Sequence, residues 1–266
     1  MDLFDILNIN KEKVIKSNSI LNEIQKHKDL KFVLPLGLKY FDKSILNGVF
    51  YPNKKYLIFG TNKSGKTQLC HQICVQAFKF FSNDIIPSNK KKAISTIFLD
   101  TENTFRPERI KEIASASNLD YVKIFKTINV AKIMSNSSLL LKLKEIKEQE
   151  QLENVKVLII DSINNYYRSE QKKSTFFKIL GLIDEIARFF NLIIIATAQV
   201  SPNFITNAII KELPVGNLYL NHFFSEYLYL SIKEEKNYIH LVNSHLLPEK
   251  KVSYKITSKG IEDFKI

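Results

Sequence analysis

The chain has 266 residues, 45% hydrophobic and 25% charged, a balance typical of globular proteins and long enough for one large α/β domain. Its two cysteines exclude a disulfide-stabilised scaffold and suit a reducing compartment. No apolar run approaches the roughly 18 residues that a membrane span requires, and the first residues lack the pattern of a signal peptide. We therefore expect a soluble intracellular protein that makes no membrane contact.

The net charge indicates the binding partners of the protein less clearly than the composition indicates its class. The formal net charge is +12, a basic balance that permits binding to nucleic acid or to an anionic membrane surface. Lysine is abundant along the whole chain, so general composition accounts for part of this excess without any partner. The charge alone therefore leaves nucleic-acid binding open.

The beginning of the chain differs in pattern from the rest. Residues 1–34 are polar, lysine-rich and too short for a domain, so they are interpreted as an arm that precedes one domain at 35–266. Leu38–Phe50 predicts a short helix and a turn that lead into the first strand of the core. No linker divides the remainder of the chain.

Residues Gly60–Thr67 read GTNKSGKT and match G-x-x-x-x-G-K-[ST], the pattern of a phosphate-binding loop. An apolar run of strand type precedes the loop, and a helical stretch follows it. In this arrangement, successive backbone N–H groups and the start of the helix meet phosphate oxygens. Lys66 would reach the β- and γ-phosphates, and the Thr67 hydroxyl would ligate Mg²⁺. The predicted loop contacts are Gly60, Thr61, Asn62, Lys63, Ser64, Gly65, Lys66, Thr67 and Gln68.

Four continuous apolar runs predict the strands of a core sheet: Tyr56–Phe59, Ser95–Leu99, Lys156–Ile160 and Asn191–Thr197. None of them alternates between polar and apolar residues, so each is expected to be buried on both faces, as in a parallel sheet covered by helices. Val122–Phe125 is predicted as a further strand. Helical patterns lie between the runs, one of them opening at Pro107 and running to about Ser117. This alternation predicts a doubly wound α/β fold.

The pattern changes after Gln199. Ser201–Gly216 carries two prolines and no clean periodicity, which predicts a long loop. Beyond it three more strands are predicted, the first two paired as an antiparallel hairpin. They are Glu226–Ile232, Tyr238–Ser244 and Val252–Thr257.

Polar side chains follow the predicted core strands where each strand ends. Glu102 follows the second strand, Asp161 the third and Gln199 the fourth, while the phosphate-binding loop follows the first. Because ligands of open parallel sheets bind at the carboxyl ends of the strands, these groups are expected to converge. Asp161 would hold Mg²⁺, Glu102 would orient or deprotonate a water, and Gln199 would hydrogen-bond the γ-phosphate.

Each of these side chains also has a simpler interpretation. Asp161 is placed to cap the helix that follows it, Glu102 to pair with Arg106 or Arg109, and Gln199 to be a satisfied buried amide. Similarly, the cluster Cys70, His71 and Cys74 suggests a metal site, but core packing is the favoured interpretation, because this helix must pack on the sheet.

Together these motifs resemble the RecA-like recombinases, archaeal RadA among them. The resemblance runs in order from about residue 35 to the end of the chain. It implies a RecA-like P-loop NTPase core whose mostly parallel central sheet is flanked by helices and extended by a C-terminal antiparallel hairpin. The segments that carry it are GTNKSGKTQ at Gly60–Gln68, FLDTENTFRPERI at Phe98–Ile110, LIIDSI at Leu158–Ile163, AQV at Ala198–Val200 and NSHLLPE at Asn243–Glu249.

The resemblance implies an ATP- and Mg²⁺-dependent core that acts on DNA. Lys66 and Thr67 match the family's phosphate and metal contacts, and Asp161 matches its second acidic motif. Glu102 matches the water-activating glutamate, and Gln199 the γ-phosphate sensor. Three further positions are implied at the nucleotide: Arg109 near the adenine, and Asn243 and Pro248 in the segment that caps ATP bound to a neighbouring subunit.

The chain also departs from the family pattern. The helix-hairpin-helix domain and the Phe-x-x-Ala polymerisation motif of the recombinases are not found in the arm. The first DNA-binding loop, from Arg168 to the next helix, is several residues short and lacks Gly-Arg-Gly. The second, Ser201–Gly216, has Lys211 as its only basic residue, and Tyr227 stands where arginine is usual. These changes remove DNA contacts and leave the nucleotide site whole.

We therefore expect a RadB-like paralogue of RadA that hydrolyses ATP slowly and has an accessory role in homologous recombination and DNA repair. Single-stranded DNA and a RadA-type recombinase are candidate partners, and oligomerisation stays open. The resemblance implies an archaeal cytoplasm, or a nucleus for a eukaryotic source. The alternatives are a nucleotide-switched interaction module with little turnover and a divergent strand-exchange recombinase.

Overall fold

A nine-stranded sheet forms the centre of the fold, and six neighbouring strands in it run parallel. In this computed structural model the strands are β1 (Lys55–Gly60), β2 (Thr96–Asp100), β3 (Ile128–Lys132), β4 (Val157–Asp161), β5 (Ile193–Ala198), β6 (Val200–Pro202), β7 (Glu212–Pro214), β8 (Glu226–Lys233), β9 (Lys236–Asn243), β10 (Lys250–Thr257) and β11 (Gly260–Asp263). The order across the large sheet is β11-β10-β9-β8-β1-β5-β4-β2-β3, and β6 pairs with β7 in a separate ribbon.

The described residues are 33–44, 50–81, 95–148, 155–170, 172–205, 208, 210–245 and 247–264. Almost all of the predicted arm, residues 1–34, lies outside them, so its boundary with the domain stays a prediction. The helices are α1 (Lys39–Ser44), α2 (Lys66–Phe81), α3 (Pro107–Ala116), α4 (Tyr121–Thr127), α5 (Asn136–Glu148), α6 (Asn165–Glu170), α7 (Lys173–Phe190) and α8 (Asn217–Leu220).

The four core strands predicted from apolar runs are confirmed to within two residues at each end, as β1, β2, β4 and β5. Nearly every side chain in them is buried. Helix α2 packs against one face of these strands, together with α3 and α4, while α5 and α7 pack together against the other. Burial of both faces explains why these runs are continuously apolar. The predicted α/β fold is therefore confirmed.

The prediction of a strand at Val122–Phe125 is wrong. These residues lie in α4, and the edge strand β3 follows them at Ile128–Lys132. The Asp120 carboxylate accepts hydrogen bonds from the backbone N–H groups of Val122 and Lys123, which caps the start of a helix. A short apolar run does not by itself distinguish a strand from a short helix, and here the cap decides.

The hairpin β8–β9 is confirmed, but the chain does not end its sheet at β10. A further strand, β11, pairs antiparallel with β10 after a turn at Ser258–Lys259. Gln72 of α2 holds this strand, because its side chain accepts from the N–H of Ile261 at 2.5 Å and donates to the carbonyl of the same residue at 3.2 Å. A strand of four residues leaves little sequence signal, and the side chain that holds it, Gln72, lies 189 positions away from Ile261.

The two loops that follow β4 and β5 also differ from expectation. Ser201–Gly216 is not an irregular loop throughout, because its ends form the ribbon β6–β7. The segment after Arg168 is short, as predicted, since only residues 171 and 172 separate α6 from α7. Among the described residues, no helix has the length and apolar character needed to cross a membrane.

Candidate nucleotide site

The loop between β1 and α2 has a backbone that only glycine adopts easily at two positions. Gly60 has φ +138° and Gly65 has φ +94°. A Cβ atom on Gly60 would lie 1.8 Å from the carbonyl oxygen of Leu230 in β8. The Thr61 N–H donates to that same oxygen at 3.1 Å. The loop is thus fixed against the sheet, and the Ser64 N–H closes a turn within it by donating to the Thr61 carbonyl at 3.2 Å.

Lys66, the first residue of α2, folds back over the loop. Its Nζ donates to the carbonyl oxygens of Gly60 at 2.8 Å and Thr61 at 3.1 Å. Burial lowers the pKa of Lys66, and the carboxylates of Glu102 and Asp161 act in the opposite direction. The ammonium is therefore held in place beside the loop, where a phosphate would replace carbonyl contacts.

A cavity of about 380 Å³ opens beside Lys66 and brings the predicted strand-end groups together. A second cavity of about 360 Å³ adjoins it and shares Glu102 and Gln199. The first cavity is lined by Gly60, Asn62, Lys66, Thr67, Glu102, Asp161, Arg168, Thr197, Gln199, Val200 and Glu212. Seven residues that were predicted from four separate segments of the chain therefore meet in one place, as the parallel sheet requires.

Asp161 lies at the bottom of this cavity and is almost fully buried. Its carboxylate accepts hydrogen bonds from the hydroxyls of Thr197, Thr67 and Thr104, the last at 3.3 Å. Burial raises its pKa, whereas the Thr197 and Thr67 hydroxyls lower it. It bonds across to α2 and β5, so it does not cap the helix that follows.

The pair formed by Asp161 and Thr67 fits a magnesium ion. Mg²⁺ prefers oxygen ligands and usually keeps several waters while bound by one or two protein oxygens and substrate phosphates. A carboxylate and a hydroxyl lie side by side here, next to the loop that would hold the phosphates. We infer that these two residues would hold the ion.

Glu102 and Gln199 form the upper wall of the cavity and contact each other. The Gln199 amide donates to Glu102 Oε1 at 2.9 Å and to Asn165 Oδ1 at 3.2 Å. The Ser162 hydroxyl donates to the same Glu102 oxygen. Arg106 and Arg109 bond elsewhere, so neither takes Glu102 as an ion-pair partner. The carboxylate thus faces the cavity and is bonded to polar groups.

Asn164 holds the backbone of Gln199 and Val215 through hydrogen bonds, a role that the sequence did not indicate. It is fully buried, and its Oδ1 accepts from the N–H of Gln199 at 2.8 Å. Its Nδ2 donates to the carbonyls of Gln199 and Val215, both at 2.9 Å. One side chain therefore joins the end of β5 to the end of β7. The polar pair Asn164-Asn165, one residue after Asp161-Ser162, was the available signal.

His71 and Tyr254 support the loop from behind and were also missed. His71 Nδ1 donates to the Thr67 carbonyl at 2.7 Å, and its Nε2 accepts from the Arg106 N–H at 2.9 Å. Burial lowers the His71 pKa, which agrees with a neutral ring in these two roles. The Tyr254 hydroxyl donates to the carbonyl of Ser64. In the part of the chain that the structure describes, no group of three potential metal ligands is found, and Cys70 and Cys74 are buried thiols.

Eight predicted nucleotide contacts do not line the cavity. Three of them come from outside the phosphate-binding loop, and the other five are Thr61, Lys63, Ser64, Gly65 and Gln68. Arg109 donates from Nε to Gln68 Oε1 at 2.5 Å, so it lies behind the loop, and its Nη2 donates to the Thr257 carbonyl. Asn243 pairs with Tyr227 near the start of β8. Because β8 runs parallel to β1, that pair lies at the end of the sheet opposite to Gly60. Pro248, in the same segment, is exposed.

Comparisons with known proteins agree on one family. A family model described as Rad51 matches residues 29–264 of the chain. The DNA repair and recombination protein RadA of Cenarchaeum symbiosum is 28% identical over 251 residues, which are 91% of this chain and 61% of that protein.

Two other relatives carry the same description. The RadA protein of Methanococcus voltae is 26% identical over 234 residues, covering 83% of this chain and 73% of its own length. That of Methanococcus maripaludis is 26% identical over 255 residues, covering 91% and 79%. This chain thus spans about three fifths to four fifths of the length of these relatives. The match to the family model, together with the parallel sheet and its phosphate-binding loop, places this chain in the Rad51 family.

Proposed function

We propose that this chain is an Mg²⁺-dependent ATPase with an accessory role in homologous recombination and DNA repair. The observation that carries the proposal is the meeting of Lys66, Thr67, Asp161, Glu102 and Gln199 in one cavity of about 380 Å³. These are the group types that phosphoryl transfer needs, because the reaction depends on positioning and on charge stabilisation.

Each residue has a separate task in this proposal. The loop N–H groups and Lys66 bind the phosphates, and Thr67 and Asp161 hold the ion. Mg²⁺ supplies neutralisation of the phosphate charge that develops during transfer. Glu102 orients a water and accepts its proton, and Gln199 hydrogen-bonds the γ-phosphate. Asn243 and Pro248 are too far along the sheet to reach their own cavity, which supports a role over a neighbouring subunit's nucleotide.

The same wall supports slow turnover. Glu102 accepts hydrogen bonds from Gln199 at 2.9 Å and from Ser162, and both bonds end on the same carboxylate oxygen, Oε1. That oxygen is therefore already occupied by protein donors and is less available to a water molecule. Hydrolysis should therefore be slow until Gln199 turns from Glu102 toward a phosphate.

The reduced loops support an accessory role over strand exchange. The first loop, Arg168–Lys172, separates α6 from α7 by two residues, and the second loop, Ser201–Gly216, has Lys211 as its only basic residue. Single-stranded DNA would then be bound mainly through lysine–phosphate contacts, which weaken steeply with salt. The second candidate, a nucleotide-switched partner of a recombinase, is favoured by the Glu102–Gln199 bond that restrains the base.

One set of assays tests these proposals. ATP turnover is measured with and without single-stranded DNA, and strand exchange is measured in parallel, for the wild type and Lys66→Ala. Turnover that DNA stimulates and that Lys66→Ala abolishes would support the accessory ATPase. Tight ATP binding without turnover would support the switch, and strand exchange by the chain alone would overturn both. Lys144→Ala, at an exposed position of α5 outside the cavity, serves as the matched control.

A further inference from the structure

The ribbon β6–β7 carries a carboxylate onto the phosphate-binding loop. Glu212, the first residue of β7, accepts a hydrogen bond at Oε2 from the Thr61 hydroxyl at 3.1 Å. The Tyr229 hydroxyl of β8 bonds to both side chains. Glu212 also lines the cavity that contains Lys66 and Gln199. A residue of the second loop therefore touches the first turn of the nucleotide site.

The ribbon is anchored, so Glu212 is held in this position. Pro202 pairs with Glu212 and Val200 with Pro214 across β6–β7. The Val215 N–H donates to the Gln199 carbonyl at 2.9 Å, and Asn164 holds the Val215 carbonyl. Any movement of the Glu212 backbone away from the loop must therefore shift β7, which is joined to the end of β5 at Gln199.

The position of Glu212 is unfavourable for a γ-phosphate. The Lys66 ammonium donates to the carbonyls of Gly60 and Thr61, and the Thr61 hydroxyl donates to Glu212. Because both contacts are made through Thr61, Lys66 and Glu212 lie at the same end of the cavity. Glu102 and Asp161 already place two further carboxylates around that ammonium. A third phosphate group added at this end would bring further negative charge into the part of the cavity that the half-buried Glu212 carboxylate lines, and like charges repel.

We propose that Glu212 is a specificity-determining residue that disfavours the γ-phosphate, so that the chain binds ADP more tightly than ATP. Binding of ATP breaks the Thr61–Glu212 contact and displaces β7, whereas ADP leaves both in place. The second loop thereby responds to the third phosphate through a charge that it carries itself. This inference rests on the proposed nucleotide site.

The test measures the affinities of the full chain for Mg²⁺-ADP and for the Mg²⁺ complex of a non-hydrolysable ATP analogue, by calorimetry. Glu212→Gln keeps an acceptor for Thr61 and removes the charge. We expect it to bind the analogue about tenfold more tightly, a change of about 1.4 kcal/mol, with the affinity for ADP nearly unchanged. Glu212→Ala should change the ratio in the same direction, because the charge and not the shape is responsible. Glu148→Gln, on an exposed turn of α5, is the matched control and should change neither affinity.

A second readout is amide hydrogen exchange in residues 200–215. In the wild type, exchange should be faster with the ATP analogue than with ADP, and in Glu212→Gln this difference should shrink. An unchanged affinity ratio in Glu212→Gln, or weaker binding of the analogue, would overturn the inference and leave the proposed function intact. If neither nucleotide bound to the wild type, the proposed function would fail, and this inference with it.

Discussion

The nucleotide cavity and the two loops that adjoin it follow different physical rules. The cavity is built at the ends of buried parallel strands, where the sheet determines which side chains meet. The first loop, Arg168–Lys172, is instead short. In the second loop, Ser201–Gly216, the ribbon β6–β7 folds back onto the cavity. A site built on strand ends depends on the sheet for its geometry, whereas the loops beside it can vary in length and path.

The largest expected effect lies inside the cavity, at Glu102. Glu102→Gln removes the proposed base and keeps the size and one acceptor of the side chain. We expect turnover to fall by about 10²–10³-fold, since a positioned base contributes on this order. The affinity for ATP should change little, so the effect should appear in kcat. Steady-state kinetics with a separate binding measurement checks this, and a loss of affinity in place of turnover would contradict the assignment.

The next largest effect is expected at Asn164, which connects the nucleotide cavity to the second loop. Asn164→Ala removes three hydrogen bonds that hold Gln199 and Val215. We expect the free energy of unfolding to fall by about 1–3 kcal/mol, because buried backbone groups lose their partners. Residues 200–215 should also exchange their amide hydrogens faster. Urea unfolding and hydrogen exchange measure the two effects, and Asn129→Ala on the exposed edge strand is the control. If both variants had the same free energy of unfolding, the proposed stabilising role of Asn164 would be wrong.

A smaller effect depends on pH and concerns His71 behind the loop. Burial lowers its pKa below the ordinary value of 6.5, so the unfolded chain takes up the proton first as the pH falls. The stability that depends on the neutral ring is therefore present above pH 6.5 and lost progressively below it. His71→Gln should show a flatter decline of the free energy of unfolding below pH 6.5 than the wild type.

Denaturant unfolding at several pH values measures this decline. His222→Gln, at an exposed position, is the matched control and should follow the wild type. If His71→Gln and His222→Gln showed the same pH dependence, His71 would not be the group responsible.

The smallest expected effect concerns DNA and tests how far the loops are reduced. Lys172 is the last residue of the first loop and Lys173 the first residue of α7, and both are exposed. If both contact phosphates, their replacement by alanine should make the slope of log affinity against log salt less steep by about 1.4, since each contact to single strands contributes about 0.7. Fluorescence anisotropy across a salt series measures the slope, and replacement of Lys144 and Lys259 is the control. Equal slopes in the two double variants would exclude the first loop from binding.

Much of the site could be predicted because its signals are local. The loop pattern at Gly60–Thr67 and the polar residues after three apolar runs name Glu102, Asp161 and Gln199 without any structure. Their meeting follows from parallel pairing, which the continuous apolar runs indicate. The misplaced strand at Val122–Phe125 failed for the opposite reason, since a capping side chain outweighed an ambiguous run.

Contacts between distant segments could not be predicted. The bond between Glu212 and Thr61 joins residues 151 positions apart, and the Gln72 side chain holds a strand 189 positions away. Neither Glu212 nor Gln72 belongs to a motif, and both second-loop strands are three residues long. Strands as short as these form only because the rest of the folded protein provides their hydrogen-bond partners.

By itself the sequence determined the nature of the chemistry: a phosphate-binding loop, an ordered set of strand-end groups, a short first loop and a second loop with one basic residue. The tertiary structure decided how these parts constrain one another. It set Gln199 against Glu102, tied the end of β5 to β7 through Asn164, and placed Glu212 on the loop. The physical reason is that motif chemistry is carried by neighbouring residues, whereas hydrogen bonds and charge repulsion depend on distances that only the packed sheet establishes.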